Sequence, residues 1–381
     1  MIYFDNAATS YPKPASVINA VKNAMIFYGA NPGRSGHDLS LKTAQVVYDT
    51  RQVLNEFFNG YGAEFVCFTQ NCTHALNTAI KGFLKRNDHV VISSLEHNSV
   101  VRPLETLKMQ GLITYSVFDV SSNEATTLKN FSEAFTDKTR LCVVTAVSNV
   151  FGDILPLEKL SDVARSKGAK FFVDGAQAAG VIPLNMKNQG IDCLCVPGHK
   201  GLWGPMGTGA LLHKNIDFMP LLQGGTGSES FNLLQPETFP EKLESGTLNV
   251  PGICGLRQGL NFVEKNGVGN IHRIETGICN EIISGLNKIE GVLIYREKSN
   301  KEYAPLVSFN IKNIHSETVA GILNRGGVAV RGGYHCSPLS HIFRGTKTAG
   351  TVRVSPSIFT EEKDIKILLN LVRKIAINDF I

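Results

Sequence analysis

Lys200 stands in Pro197-Gly198-His199-Lys200-Gly201, directly after the apolar run Ile191–Val196. A lysine at the exit of a buried strand is partly desolvated, which lowers its pKa and favours the neutral amine that forms Schiff bases. The competing reading is a surface lysine in a Gly-rich loop. Glycines 201, 204, 207 and 209 would let backbone approach a bulky planar ligand. Asp174, in Val173-Asp174-Gly175-Ala176-Gln177, ends another strand-like run. Its carboxylate either pairs with a protonated ring nitrogen or caps a helix. Thr73 and His74 close the polar loop Thr69–His74, where free N–H groups at a helix start and a hydroxyl make a phosphate cradle.

Four further residues carry potential chemistry. His97 follows the run HVVISS and could stack on a planar ring or shuttle protons. Asn149, in Ser148-Asn149-Val150-Phe151-Gly152, either donates to a ring oxygen or forms a turn. Arg353 sits in the apolar stretch GTVRVSPS and needs an anionic partner, for which a substrate carboxylate suits its fork. Cys336, in Arg331-Gly332-Gly333-Tyr334-His335-Cys336, has a histidine beside it and Arg331 and Arg344 nearby. Positive neighbours and exposure favour the nucleophilic thiolate.

The elements that must position these groups are legible as alternating strands and helices. Strand-like runs fall at 65–69, 89–94, 113–118, 140–146, 170–175, 191–196 and 209–214. Several are continuously apolar, which suits strands buried on both faces of a sheet. Segments 75–86 and 157–168 between them have helical apolar spacing. The alternation predicts a mostly parallel sheet covered by helices, with ligands at the carboxyl ends of its strands. Beyond it, a long helical segment over 252–287 leads to strand candidates at 291–296, 306–312 and 327–333, then an amphipathic helix from 361. This reads as a large domain over 14–260 and a smaller α+β domain formed by 1–13 and 261–381.

Composition bounds the rest. The chain has 381 residues, 43% hydrophobic and 19% charged, as expected of a soluble globular protein with two cores. The net charge of +5 comes without a basic tract, so direct nucleic-acid binding has no support. No apolar run reaches a membrane span and no signal peptide is visible, which points to the cytoplasm. Of eight cysteines, 67, 142, 193, 195 and 279 lie in or beside apolar stretches and read as core, not as metal ligands. The Cys193-x-Cys195 pair should face one side of its strand.

Taken in order, these motifs resemble the class V, fold-type I pyridoxal 5'-phosphate (PLP) enzymes, and within them the cysteine desulfurases. The resemblance runs from YFDNAATSYPKP through NPGRSGHDLS, LEHNS, SNVFGDILP, VDGAQAAG, GHKGLWGPMGTG and ESGTLNVPG to RGGYHC and TVRVSPS. Arg-Gly-Gly-x-His-Cys is similar to the motif of the desulfurase and selenocysteine lyase group associated with the SUF system of iron–sulfur cluster assembly. The resemblance implies a seven-stranded, mostly parallel sheet flanked by helices. It implies that Lys200 holds PLP and acts as the Cα base, that Asp174 pairs with the pyridine nitrogen, and that Gln177 bonds the ring hydroxyl. His97 would stack over the ring, and His199, Thr73 and His74 would hold the phosphate. Asn149, Arg353 and Arg331 would position the substrate. Thr247, in ESGT, would reach the phosphate of a neighbouring subunit, so a homodimer is expected. Cys336 would take sulfur from L-cysteine as a persulfide, for delivery to an acceptor protein, and its flanking glycines permit the mobility this needs. Selenocysteine lyase, or another class V reaction such as an epimerase, aminotransferase or C–S lyase, is the alternative; a non-enzymatic scaffold is a third. Two departures stand out: Pro197 replaces the family's phosphate-binding Ser or Thr, and the spacing from Lys200 to Gly204-Pro205 is longer.

Overall fold

The computed structural model describes residues 1–33, 35–296 and 302–377; Arg34 and Asn378, which the motifs and the last helix above include, lie outside the described residues. Its strands are β1 (Ile2–Tyr3), β2 (Val66–Thr69), β3 (His89–Ser93), β4 (Thr114–Phe118), β5 (Thr139–Thr145), β6 (Lys170–Asp174), β7 (Cys193–Pro197), β8 (Gly209–His213), β9 (Val292–Ile294), β10 (Val307–Ile311), β11 (Val328–Ala329), β12 (Arg331–Gly333) and β13 (Thr351–Val354). The helices are α1 (Ala15–Phe27), α2 (Asp38–Phe57), α3 (Cys72–Phe83), α4 (Asn98–Met109), α5 (Glu124–Glu133), α6 (Leu157–Ser166), α7 (Val250–Asn266), α8 (Val268–Leu286), α9 (Ser316–Arg325), α10 (Pro338–Phe343) and α11 (Glu362–Ala376).

All seven expected strands pair in one sheet of order β2-β8-β7-β6-β5-β3-β4. Only β8 runs antiparallel to its neighbours. The sheet is buried on both faces, and β7 shows how its sequence meets that demand. Cys193 and Cys195 enter the apolar layer that contains Leu76, Ile80 and Phe172. Leu194 and Val196 enter the opposite layer with Val173 and Leu256. The two cysteines share one face because side chains along a strand alternate. The strand order reverses between β5 and β3, so a crevice opens at the carboxyl ends there.

A separate apolar core joins Phe4 to residues from Cys279 to Ile375. It packs one side of the antiparallel sheet β12-β13-β10-β9. Three sequence-based elements need correction. The helix expected over 252–287 is two helices, because Gly267 between them takes φ +75°, which an α-helix does not accommodate. The strand expected over 327–333 is two short ones: β11 pairs with β1 and β12 with β13. The helix expected from 75 begins at Cys72, because the Asn71 side chain accepts from His74 N and caps the turn.

One buried ion pair ties the 240s segment to the sheet. The Arg51 guanidinium of α2 bridges both oxygens of Glu244 and donates to Val66 O, and Phe68 N donates to Glu244 Oε1. Both side chains are almost fully buried. Losing one partner strands the other charge without water. We expect Arg51→Met to lower unfolding free energy by about 3–5 kcal/mol in urea denaturation. Neutralising the exposed Lys129–Glu133 pair should change it by less than about 0.5 kcal/mol. Equal effects would show that the buried pair does not carry this connection.

Candidate active site

The ends of β3, β5, β6 and β7 border a hollow that opens to solvent. Thr145 ends β5, Asp174 ends β6 and Pro197 ends β7, while His97 and Lys200 follow β3 and β7 within a few residues. Thr73, Asn149, Gln177 and His199 complete the expected group on its walls. Residues separated by more than 120 positions are thereby brought to one hollow.

Lys200 is half-buried. Burial pushes its ammonium pKa down, Asp174 opposes that, and Arg353 pushes it lower still. The loop that carries it is held by backbone: Ser10 Oγ donates to Lys200 O at 3.0 Å, and Trp203 N donates to the same carbonyl at 2.9 Å. The glycines here serve chain packing more than ligand approach. A Cβ on Gly201 would meet Ala179 O at 2.4 Å, and one on Gly180 would meet Gly201 O at 2.2 Å.

Asp174 is fully buried, and burial raises its carboxyl pKa. It accepts from Ala176 N at 2.9 Å and from the Cys72 thiol at 3.5 Å, both at Oδ1. The segment after it is a series of turns, so the helix-capping alternative does not hold. It forms no ion pair among the described residues, and a buried carboxylate without one is costly. A protonated pyridine nitrogen is the kind of partner this group lacks. Gln177 donates Nε2 to Ala7 O, which leaves its carbonyl oxygen for a donor. His199 Nδ1 is buried without a partner. These unmet groups fit a flat, polar, phosphate-bearing cofactor such as PLP.

His97 is the N-cap of α4, its Nδ1 accepting from Ser99 N at 3.1 Å. That bond puts the proton of the neutral ring on Nε2. Burial, then the charges of Lys200, Arg331, Arg102 and Arg353, hold its pKa down to about 4. Ser99 Oγ bridges His97 Nδ1 at 2.8 Å and Thr73 Oγ1 at 2.7 Å. Ser99 and Cys72 line the cavity yet were not singled out from sequence. Nor was Glu96, a fully buried carboxyl pushed up to about 8 by burial, with Oε2 unpartnered. A serine two residues after His97 was the available signal for Ser99.

Several expectations are revised. His74 does not reach this cavity. One residue further along α3 turns the side chain about 100° from Thr73, and its ring lies in a separate recess with Thr247, Nδ1 accepting from Gln70 N. Thr247 therefore also stands apart from the Lys200 cavity of its own chain. The anion that faces Arg353 is Asp5, at 2.9 Å. Arg353 is fully buried, also donates to Asn149 O at 2.7 Å, and keeps Nε unpartnered. Asn149 donates Nδ2 to His335 O at 2.6 Å and keeps Oδ1 unpartnered.

Cys336 is the only exposed cysteine among the described residues. It sits at the mouth of the cavity, on an adjoining recess that shares Thr73, His97 and Ser99 with it. Arg331 Nη2 lies 3.6 Å from its sulfur. The other two expected neighbours face elsewhere. His335 is buried with Nε2 at 3.0 Å from Thr351 O, and Arg344 pairs with Asp153 at 2.9 Å. The segment is pinned rather than loose: Asn98 N donates to Cys336 O at 2.8 Å, and Ser337 Oγ donates to Glu96 O at 2.9 Å. His335 and Cys336 take φ of +49° and +57°, a conformation that costs non-glycine residues energy and is held by those bonds.

A second, small hollow is lined by Lys200 and Gln177 and also by Glu275 of α8. Burial raises the Glu275 carboxyl pKa to about 8. Between its ordinary value of 4.5 and 8, the unfolded chain releases this proton while the folded chain keeps it. Stability must therefore fall as pH rises through that window. Glu275→Gln removes the term, so the variant should gain on the parent from pH 5 to 8.5, by at most on the order of 4 kcal/mol. Urea denaturation at both pH values checks this, and a pH-independent difference refutes it.

Comparison with known proteins agrees with this geometry. The family model described as aminotransferase class-V matches residues 2–368. A probable cysteine desulfurase of Methanothermobacter thermautotrophicus is 31% identical over 386 residues, 98% of this chain and 94% of that protein. One of Pyrococcus abyssi is 32% identical over 392 residues, 99% and 94% of the two chains. Among solved structures, the apo cysteine desulfurase of Thermococcus onnurineus NA1 superposes with a TM-score of 0.92 at 31% identity, covering 99% of this chain and 95% of that one. A strand-end lysine, aspartate and histidine around one hollow, on a sheet matched over the whole chain, lead to one assignment: this chain belongs to the class-V aminotransferase family.

Proposed function

We propose that this chain is a PLP-dependent cysteine desulfurase that converts L-cysteine to L-alanine and keeps the sulfur as a persulfide on Cys336. The observation that carries the reading is an exposed thiol beside Arg331, at the mouth of a cavity walled by Lys200, Asp174 and His97. Relatives named cysteine desulfurase over nearly the full chain support it.

Bound PLP supplies an aldehyde for Lys200 and an electron sink for charge developing at the substrate Cα. The partly desolvated Lys200 delivers a neutral amine, then takes and returns the Cα proton. Asp174 would accept from the ring nitrogen and Gln177 from the ring hydroxyl. His97, neutral with its proton on Nε2, would border the cofactor ring without adding charge. Thr73, His199 and the start of α3 would hold the phosphate, with Ser99 Oγ fixing Thr73 and His97 beside it. Arg353, through its unpaired Nε, and Asn149 and Arg331 orient the substrate carboxylate. Cys336 sulfur then bonds the substrate sulfur as the Cβ–Sγ bond breaks, giving alanine and Cys336–S–SH. The pinned backbone keeps this thiol at one distance from the cavity, so substrate comes to Cys336.

Exposed apolar side chains support a homodimer. Phe231, Leu233 and Leu234 between β8 and α7 are fully or largely exposed, as are Met25, Ile26, Phe27, Leu39 and Leu41 of α1 and α2. Such a surface is unusual on a monomer, and Thr247 would then serve the partner's phosphate. The core joining Phe4 to Cys279–Ile375 supports a small domain of 1–13 and 261–381 beside a large one of 14–260. No helix among the described residues is long and apolar enough to cross a membrane. A cytoplasmic site of action is part of this reading.

Purified protein with PLP and L-cysteine should yield alanine and sulfane sulfur, with 32 Da added to Cys336 by mass spectrometry, one sulfur atom. Lys200→Ala should lose the Schiff-base absorbance and all turnover. Cys336→Ala should lose activity on L-cysteine by about 100-fold or more while largely sparing L-selenocysteine, whose selenium can leave as the element, with the C–Se electron pair staying on carbon, without a protein nucleophile. Equal loss on both substrates, or alanine without a persulfide, would overturn the role given to Cys336.

A further inference from the structure

The recess that carries Cys336 has a composition the reaction above does not use. Its walls are two polar stripes at helical spacing. Thr73, Asn77 and Lys81 descend one face of α3, and Asn98, Arg102 and Thr106 descend the facing side of α4. The recess holds about 320 Å³ and opens to solvent. No carboxylate is among its lining residues. Lys81 and Arg102 are exposed, and neither forms an ion pair among the described residues. Arg331, which does not line the recess, adds a further cation 3.6 Å from the Cys336 sulfur.

We propose that this recess seats a small thiol bearing carboxylates, which removes the sulfur from Cys336. The inference rests on the persulfide assigned above. Three features select that ligand class. Two unpaired cations facing one hollow without an acid attract an anion. The thiol at the rim dictates that the bound molecule carry a sulfur nucleophile. The recess shares Thr73, His97 and Ser99 with the cofactor cavity, so a molecule seated there lies beside the persulfide without a protein surface being required. The positive field also favours ionisation of the incoming thiol and lessens repulsion between two sulfur anions.

The step balances without an external oxidant. The acceptor thiolate forms a bond to the outer sulfur of Cys336–S–SH. The bond between that sulfur and Cys336 Sγ breaks, and its electron pair leaves on Sγ as thiolate. The outer sulfur departs with its proton as R–S–SH, and Cys336 is regenerated.

The test uses the PLP-loaded enzyme in two stages. It is first loaded with L-cysteine, desalted, and the persulfide on Cys336 is quantified by mass spectrometry. Its discharge is then timed with mercaptosuccinate, 2-mercaptoethanol or cysteamine, for the parent and for the Lys81→Gln/Arg102→Gln protein. Loading should be the same in both proteins. Discharge to mercaptosuccinate should saturate and fall about tenfold in the variant, and discharge to 2-mercaptoethanol should change by less than about twofold. Discharge to cysteamine should not fall. Succinate, which lacks the thiol, should inhibit discharge to mercaptosuccinate in the parent alone. Both side chains are exposed, so folding is preserved; equal loading checks it. The proposal is overturned if the variant slows all three thiols equally, or if a loaded persulfide is discharged by none of them. Absence of any persulfide after loading would instead remove the desulfurase reading, and this inference with it.

Discussion

A single buried guanidinium organises the site. Arg353 on β13 reaches Asp5 near the N-terminus and the carbonyl of Asn149 beyond β5. Asn149 in turn holds the carbonyl of His335. Charge taken fully out of water must be paired and hydrogen-bonded, so Arg353 fixes where these three segments can sit. The first residues of the chain, the end of the parallel sheet and the segment carrying Cys336 are brought into one frame. The same N-terminal stretch continues to the lysine loop, where Ser10 and Lys13 donate to the carbonyl of His199. Lys200 and Cys336 are thus positioned against each other through backbone carbonyls rather than through their own side chains.

The electrostatics of the cavity follow from desolvation. Burial holds His97 and His199 down to about 4, so both rings are neutral at physiological pH. The remaining charges have separate tasks: Asp174 is the one carboxylate on the cavity wall among the described residues, and Arg331 stands at the thiol. Cys72, one residue before Thr73, is the opposite kind of cysteine from Cys336. Burial and Asp174 push its thiol pKa well up, so it acts as a hydrogen-bond donor to Asp174 and not as a nucleophile.

The parallel sheet was legible because its central strands are buried on both faces, and several of them therefore read as unbroken apolar runs. Lys200, Asp174 and His97 were legible because polar residues directly after such runs have few places to go except the carboxyl edge. His74 adjoins Thr73 in sequence, yet a helix separates adjacent side chains by about 100°, so Thr73 lines the cavity and the His74 ring lines a separate recess. Ser99 and Glu96 were overlooked because their importance lies in contacts with Thr73 and Thr145, which no local pattern announces. The region of Gly267 read as one helix because apolar spacing carries across a glycine, whereas backbone handedness does not.

What the sequence by itself determined is the set of strands, the carboxyl edge they share, and the lysine, aspartate and histidine found along it. Hydrophobic periodicity and strand-end position are local properties and survive without knowledge of partners. What only the tertiary structure decided is how Arg353 is satisfied, that Cys336 is pinned at the mouth instead of swinging on glycines, and that Lys81 and Arg102 face one hollow beside it. Those are contacts between residues 5 and 353, 98 and 336, and across two helices. Pairings of that kind are set by how the elements pack, and no local spacing encodes them.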